Sequence, residues 1–118
     1  MKQIKFIRYQ HNPILFPQTA SPWEALATFN PCVIKEKNTY HMLYRAIGAK
    51  QDYENQKISF STIGYAQSHN GYDFSKRRQL IKPKHDWEKY GCEDPRITKL
   101  EENYYIFYTP SLNSNTRY

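Results

Sequence analysis

Glycine is scarce in this chain, with four in 118 residues, and cysteine is scarcer still, with two. Two cysteines cannot build the multi-bridge framework of a small secreted domain, and by themselves they cannot complete a metal site. No apolar run approaches the roughly 20 residues that a membrane-crossing helix needs. The start, Met1-Lys2-Gln3-Ile4-Lys5-Phe6-Ile7, lacks the uninterrupted apolar stretch of a secretory leader, so a cytoplasmic location is expected, with Cys32 and Cys92 free and buried. Helix-length apolar stripes are missing too, which excludes a helical bundle. Acids are in deficit: 11 Asp and Glu face 17 Lys and Arg, a net charge of +6. That balance favours an anionic partner, whether nucleic acid, a membrane surface or a phosphate.

Tyrosine and proline are plentiful, at 11 and seven residues, and the composition reads as all-β with many turns. Residues 1–28 read as an approach segment. In it, residues 4–9 form a candidate strand, residues 12–17 are broken by prolines, and Ser21-Pro22-Trp23-Glu24 supports one helical turn. Trp23 is expected to pack on the first blade. Strands are predicted at residues 32–35 and 40–46 around a charged turn, at 58–68 after a polar loop over 50–57, and at 79–82 beyond Asn70-Gly71. Two more are predicted at 96–100 and 104–109, around Glu101-Glu102-Asn103.

The second pair of strands repeats the first. Asn30-Pro31-Cys32-Val33-Ile34-Lys35 overlays Asp94-Pro95-Arg96-Ile97-Thr98-Lys99, and the same 64-residue offset lays Tyr40-His41-Met42-Leu43-Tyr44 on Tyr104-Tyr105-Ile106-Phe107-Tyr108. A hairpin repeat of this length predicts a β-propeller with four antiparallel strands per blade. Residues 29–93 then form the first blade and its connection, and residues 94–118 begin a second. Radial sheets need closure to cover their edges, so the chain reads as the N-terminal part of a larger ring.

The densest chemistry lies in Tyr90-Gly91-Cys92-Glu93-Asp94-Pro95-Arg96-Ile97. Gly91 permits a tight approach, and Pro95 is expected to hold Asp94 in the extended region. Pairing Lys35 with Tyr40 places Asn30 opposite Arg45. Blade starts line a propeller's channel, so Asn30, Arg45 and Asp94 converge. An amide, a guanidinium and a carboxylate around one pocket suit a polyhydroxylated ligand, with one group able to transfer a proton.

These segments, together with Leu43-Tyr44-Arg45-Ala46 and Ile63-Gly64-Tyr65-Ala66-Gln67-Ser68, resemble glycoside hydrolase family 130. The resemblance implies the first two blades of a five-bladed propeller and inverting phosphorolysis of β-mannosides to α-mannose 1-phosphate. It makes Asp94 the catalytic acid, sets Asn30 and Arg45 on the mannosyl unit, and puts Glu93 and Arg96 in or behind that shell. Inorganic phosphate is the co-substrate. No metal and no organic cofactor is expected, and the resemblance leaves room for a homo-oligomer. The alternatives are a β-mannoside hydrolase of the same family and a non-catalytic basic β module that binds glycan or nucleic acid. Most basic residues fall in turns rather than on an aromatic-interleaved strand face, Lys76-Arg77-Arg78 excepted, so neither nucleic acid nor membrane is expected as a partner.

Overall fold

The computed structural model describes residues 3–113; the first two residues of the approach segment and the last five of the second-blade segment lie outside it. The fold is all-β. Strands β1 (Ala27–Glu36), β2 (Thr39–Ile47), β5 (Ser61–Ser68) and β6 (Ser75–Ile81) form a four-stranded antiparallel sheet, and β7 (Gly91–Leu100) pairs with β8 (Asn103–Ser111) as a further hairpin. This is one propeller blade followed by the opening hairpin of a second. The division expected between residues 93 and 94 falls inside β7. Helix is confined, among the described residues, to 3₁₀ turns at Pro22–Glu24 and Asp86–Glu88.

Three local expectations fail for identifiable reasons. Residues 4–9 form no strand, because among the described residues no other strand ladders with them, and Ile4, Phe6 and Ile7 remain exposed. The polar stretch 50–57 folds into a small hairpin, β3 (Gln51–Tyr53) with β4 (Gln56–Ile58). Its two turn residues, Glu54 and Asn55, both have positive φ, 47° and 62°, as a tight two-residue turn demands. The strand expected at 58–68 consequently divides, with Ile58 closing β4 and Ser61 opening β5.

Alternation along β2 sends side chains to two apolar layers. Met42, Tyr44 and Ala46 form one with Ala66 of β5, against which Trp23 packs as expected. Gly64 lies opposite Tyr44 in the ladder, and a Cβ there would overlap the phenol ring. On the other face Leu43, Ile63 and buried Cys92 form a seam between the two sheets, joined by half-buried Cys32 and Ile97. Both thiols are free. Burial pushes the Cys92 thiol up to about 12, helped by the neighbouring Glu88 charge.

The 64-residue repeat extends to backbone irregularities. The β1–β2 ladder slips between Phe29 and Cys32, and the β7–β8 ladder slips between Glu93 and Arg96. Each bulge opens on a residue of positive φ, Asn30 at 46° and Asp94 at 50°. Asp94 is therefore left-handed, not extended. A bulge whose first residue is left-handed steps two residues out of the ladder, and Asn and Asp are the side-chain-bearing residues that tolerate this best. The slip also corrects the pairing: Phe29, not Asn30, sits opposite Arg45.

Candidate active site

The paired bulges turn their polar side chains toward each other across the seam. Asn30 Nδ2 donates to Asp94 Oδ1 at 2.6 Å, and Arg45 Nη1 donates to the same oxygen at 3.3 Å. Arg45 comes from β2, buried beneath the bulge, and its other nitrogens are held separately. Nη2 meets Glu93 Oε1 at 2.7 Å, Nε donates to Ser61 Oγ at 2.9 Å, and the guanidinium lies over the Phe29 ring at 5.0 Å. A buried guanidinium must be paired on every side to offset its lost hydration, and this one is.

Exposure separates the two acids. The Asp94 side chain is 41% exposed, whereas that of Glu93 is 12% and that of Arg45 is 7%. Asp94 thus faces solvent while Glu93 and Arg45 stand behind it. The guanidinium lies closer to Glu93 than to Asp94, so its charge is answered mainly by Glu93. The hydrogen bonds from Asn30 and Arg45 both fall on Asp94 Oδ1. In a carboxylic acid the carbonyl oxygen accepts hydrogen bonds while the other carries the proton, so this arrangement presents Oδ2 as the oxygen to protonate.

Of the sequence-derived candidates, Asn30, Arg45, Glu93 and Asp94 are brought together. Arg96 is not. It lies exposed on β7, with Nη1 on the Pro95 carbonyl at 2.6 Å, and the partner of Glu93 is Arg45. Sequence reasoning missed Ser61, whose hydroxyl accepts from Arg45 and donates to the Cys92 carbonyl at 3.1 Å. Ser61 also pairs with Gly91 in the only parallel bridge between the sheets among the described residues. A Cβ on Gly91 would stand 2.8 Å from that of Ser61, so close approach requires glycine there.

A second missed feature repeats with the same 64-residue offset. Trp23-Glu24 and Trp87-Glu88 occupy the two 3₁₀ turns, and each glutamate is buried. Glu24 accepts from Tyr44 at 2.8 Å and pairs with Arg77, while Glu88 accepts from Tyr108 at 2.7 Å, from the Lys84 amide and from Cys92 Sγ. Burial and the Glu24 bond push the Tyr44 phenol up; the Glu88 bond and burial push Tyr108 up to about 12. Burial works against ionised Glu88, but its three donors outweigh it and hold the carboxyl below its ordinary range. The Trp-Glu pairs were the sequence signal for these rivets.

A family model described as beta-1,4-mannooligosaccharide phosphorylase matches residues 4–117. The chain is 38% identical over 111 residues to a Beta-1,2-mannobiose phosphorylase of Thermoanaerobacter sp. (strain X514), covering 89% of this chain and 37% of that protein. It is 35% identical over 109 residues to a 1,2-beta-oligomannan phosphorylase of the same organism, covering 90% and 36%. The crystal structure of a glycosyl hydrolase from Bacteroides ovatus superposes with a TM-score of 0.70 at 29% identity, covering 90% of this chain and 34% of that one. The chain therefore spans little more than a third of the length of these relatives.

Proposed function

The chain belongs to glycoside hydrolase family 130, and from that premise we propose that it supplies the acid-bearing part of an inverting β-mannoside phosphorylase. The observation that carries this reading is the Asp94 carboxylate, open to solvent and held through Oδ1 by Asn30 and Arg45. Asp94 gives a proton from Oδ2 toward the glycosidic oxygen, by way of the mannosyl 3-hydroxyl, as the bond to the anomeric carbon breaks. Inorganic phosphate attacks that carbon from the opposite face, so a β-linkage yields α-mannose 1-phosphate. No second carboxylate is needed to activate water, because the nucleophile arrives as an anion. Glu93 is buried against Arg45 and does not reach the substrate; it fixes the guanidinium that in turn fixes Asp94. Arg96 belongs outside this shell.

The test is dependence on phosphate. The natural gene product is incubated with a β-mannobiose of 1,2 or 1,4 linkage, with and without phosphate. α-Mannose 1-phosphate is expected to rise with added phosphate, and the reverse synthesis is expected to run. Free mannose at equal rates in both tubes would mean hydrolysis and sink the proposal.

A further inference from the structure

Apart from the Asp94 site, the sheet carries a cavity of about 620 Å³ between the β3–β4 hairpin, the 3₁₀ turn at Pro22–Glu24 and the segment after β6. None of Asn30, Arg45 and Asp94 lines it. The size falls within the span of small-molecule sites, about 300–1,000 Å³.

Its lining has two chemistries. One is aromatic: Trp23, Tyr53 and Phe60 contribute, with Tyr53 edge-on to Phe60 at 5.2 Å. Ring faces of this kind receive the C–H faces of sugars, whose hydrogens carry partial positive charge toward the π-cloud. The other is cationic: Lys50, Lys82 and Lys84 line the cavity, exposed and without an acidic partner among the described residues. Lys89 also lines it but is paired with Glu54 at 2.7 Å, and Asp86 is the one acid in the lining. Three such cations against one acid leave a surplus of about two charges, which matches the roughly −1.5 to −2 of a phosphomonoester. Thr62, 3% exposed, also lines the cavity.

We propose that this cavity binds a phosphorylated saccharide, with the sugar against Tyr53 and Phe60 and the phosphoryl group among Lys50, Lys82 and Lys84. An uncharged glycan would have no use for the lysines, and a bare phosphate would have none for the rings. The saccharide could be the sugar phosphate of the proposed reaction or a phosphorylated glycan from elsewhere. The two share the recognised chemistry.

The test titrates the full chain with α-mannose 1-phosphate, a mannobiose phosphorylated at its 6-hydroxyl, inorganic phosphate and mannose, following the backbone amide signals of Tyr53, Phe60 and Thr62. Saturable shifts are expected with at least one phosphorylated saccharide, and which of the two binds tighter identifies the source. Phosphate and mannose are each expected to bind at least about tenfold more weakly. The Lys82→Glu/Lys84→Glu variant, altered only at exposed positions, is expected to weaken these shifts about tenfold or more while far-UV circular dichroism stays unchanged. Asp94→Asn is expected to leave them intact, which separates this cavity from the acid site. Absence of saturation, equal affinity for inorganic phosphate, or insensitivity to the lysine reversals would overturn the proposal.

Discussion

Asn30 and Asp94 hold the same position in two successive repeats, 64 residues apart, and they are hydrogen-bonded to each other at 2.6 Å. Equal left-handed bulges aim both side chains into the seam, so the repeat that builds the fold also builds the site. One member is an amide donor and the other a carboxylate acceptor. Two carboxylates there would repel, and two amides would hold no acid.

Replacing Asp94 with Asn keeps an Oδ1 for Asn30 and Arg45 and removes only the transferable proton. Mannoside turnover by the natural gene product is expected to fall about a hundred- to ten-thousand-fold with substrate affinity retained. Near-normal turnover would exclude Asp94 as the acid.

Glu93→Gln strips the buried Arg45 of its nearest counter-charge. Breaking a buried pair from one side costs about 3–5 kcal/mol, and Asp94 and Ser61 remain to hold the guanidinium, so the low end is expected. Urea midpoints measure it. The double variant Arg45→Met/Glu93→Leu should lose less than the two single changes added together, because it leaves no charge stranded. Additive losses would mean that the pair is not coupled.

Gly64→Ala places a methyl inside the Tyr44 ring. Overpacking of this kind costs about 1–3 kcal/mol. In a Tyr44→Leu background the penalty should shrink, and an unchanged penalty would place the clash elsewhere.

Alkaline pH probes the second rivet. In the fold Cys92 and Tyr108 hold their protons up to about 12, whereas their ordinary values are 9.0 and 10.0. The folded state binds these protons more tightly, so their contribution is whole below pH 9.0 and drains away as pH rises toward about 12; Tyr44, also raised, adds to the loss. Cys92→Ala and Tyr108→Phe should each make the decline of the urea midpoint shallower. Parallel slopes in wild type and variants would rule these groups out.

Much of this was legible in the sequence because hairpin and repeat share one period. Asn30-Pro31 and Asp94-Pro95 announced both the blade starts and the convergence of Asn30 with Asp94. What escaped was governed by backbone geometry that composition does not display. Pro95 argued for an extended Asp94, but the ladder required a bulge, and the bulge won. The matching slip in the β1–β2 ladder moved Phe29 opposite Arg45. Arg96 belonged to the site only through the motif it shares with Asp94; beyond the bulge it lies exposed, with its guanidinium on the Pro95 carbonyl. Ser61 carries no motif of its own; the β2–β5 ladder, which pairs Ser61 with Ile47 and Ile63 with Arg45, brings it to the guanidinium. The β3–β4 hairpin was hidden by its polar composition, since nothing apolar marks a two-residue turn made by Glu54 and Asn55.

The Glu88 rivet also locates the joint at which this architecture comes apart into modules. Glu88 reaches back to the Lys84 amide and forward to Cys92 and Tyr108, while β6 ends at Ile81. A graft joined at Lys82-Pro83 would carry an acid, its bulge and its own anchor as one transferable piece. A graft joined ahead of Asp94 would instead leave Glu88 and Cys92 with the donor and hand Tyr108 to the recipient without them. Interchange of blades between related proteins should therefore succeed at Lys82-Pro83 and fail at Asp94, even though Asn30-Pro31 and Asp94-Pro95 are the repeat's plainest mark in the sequence.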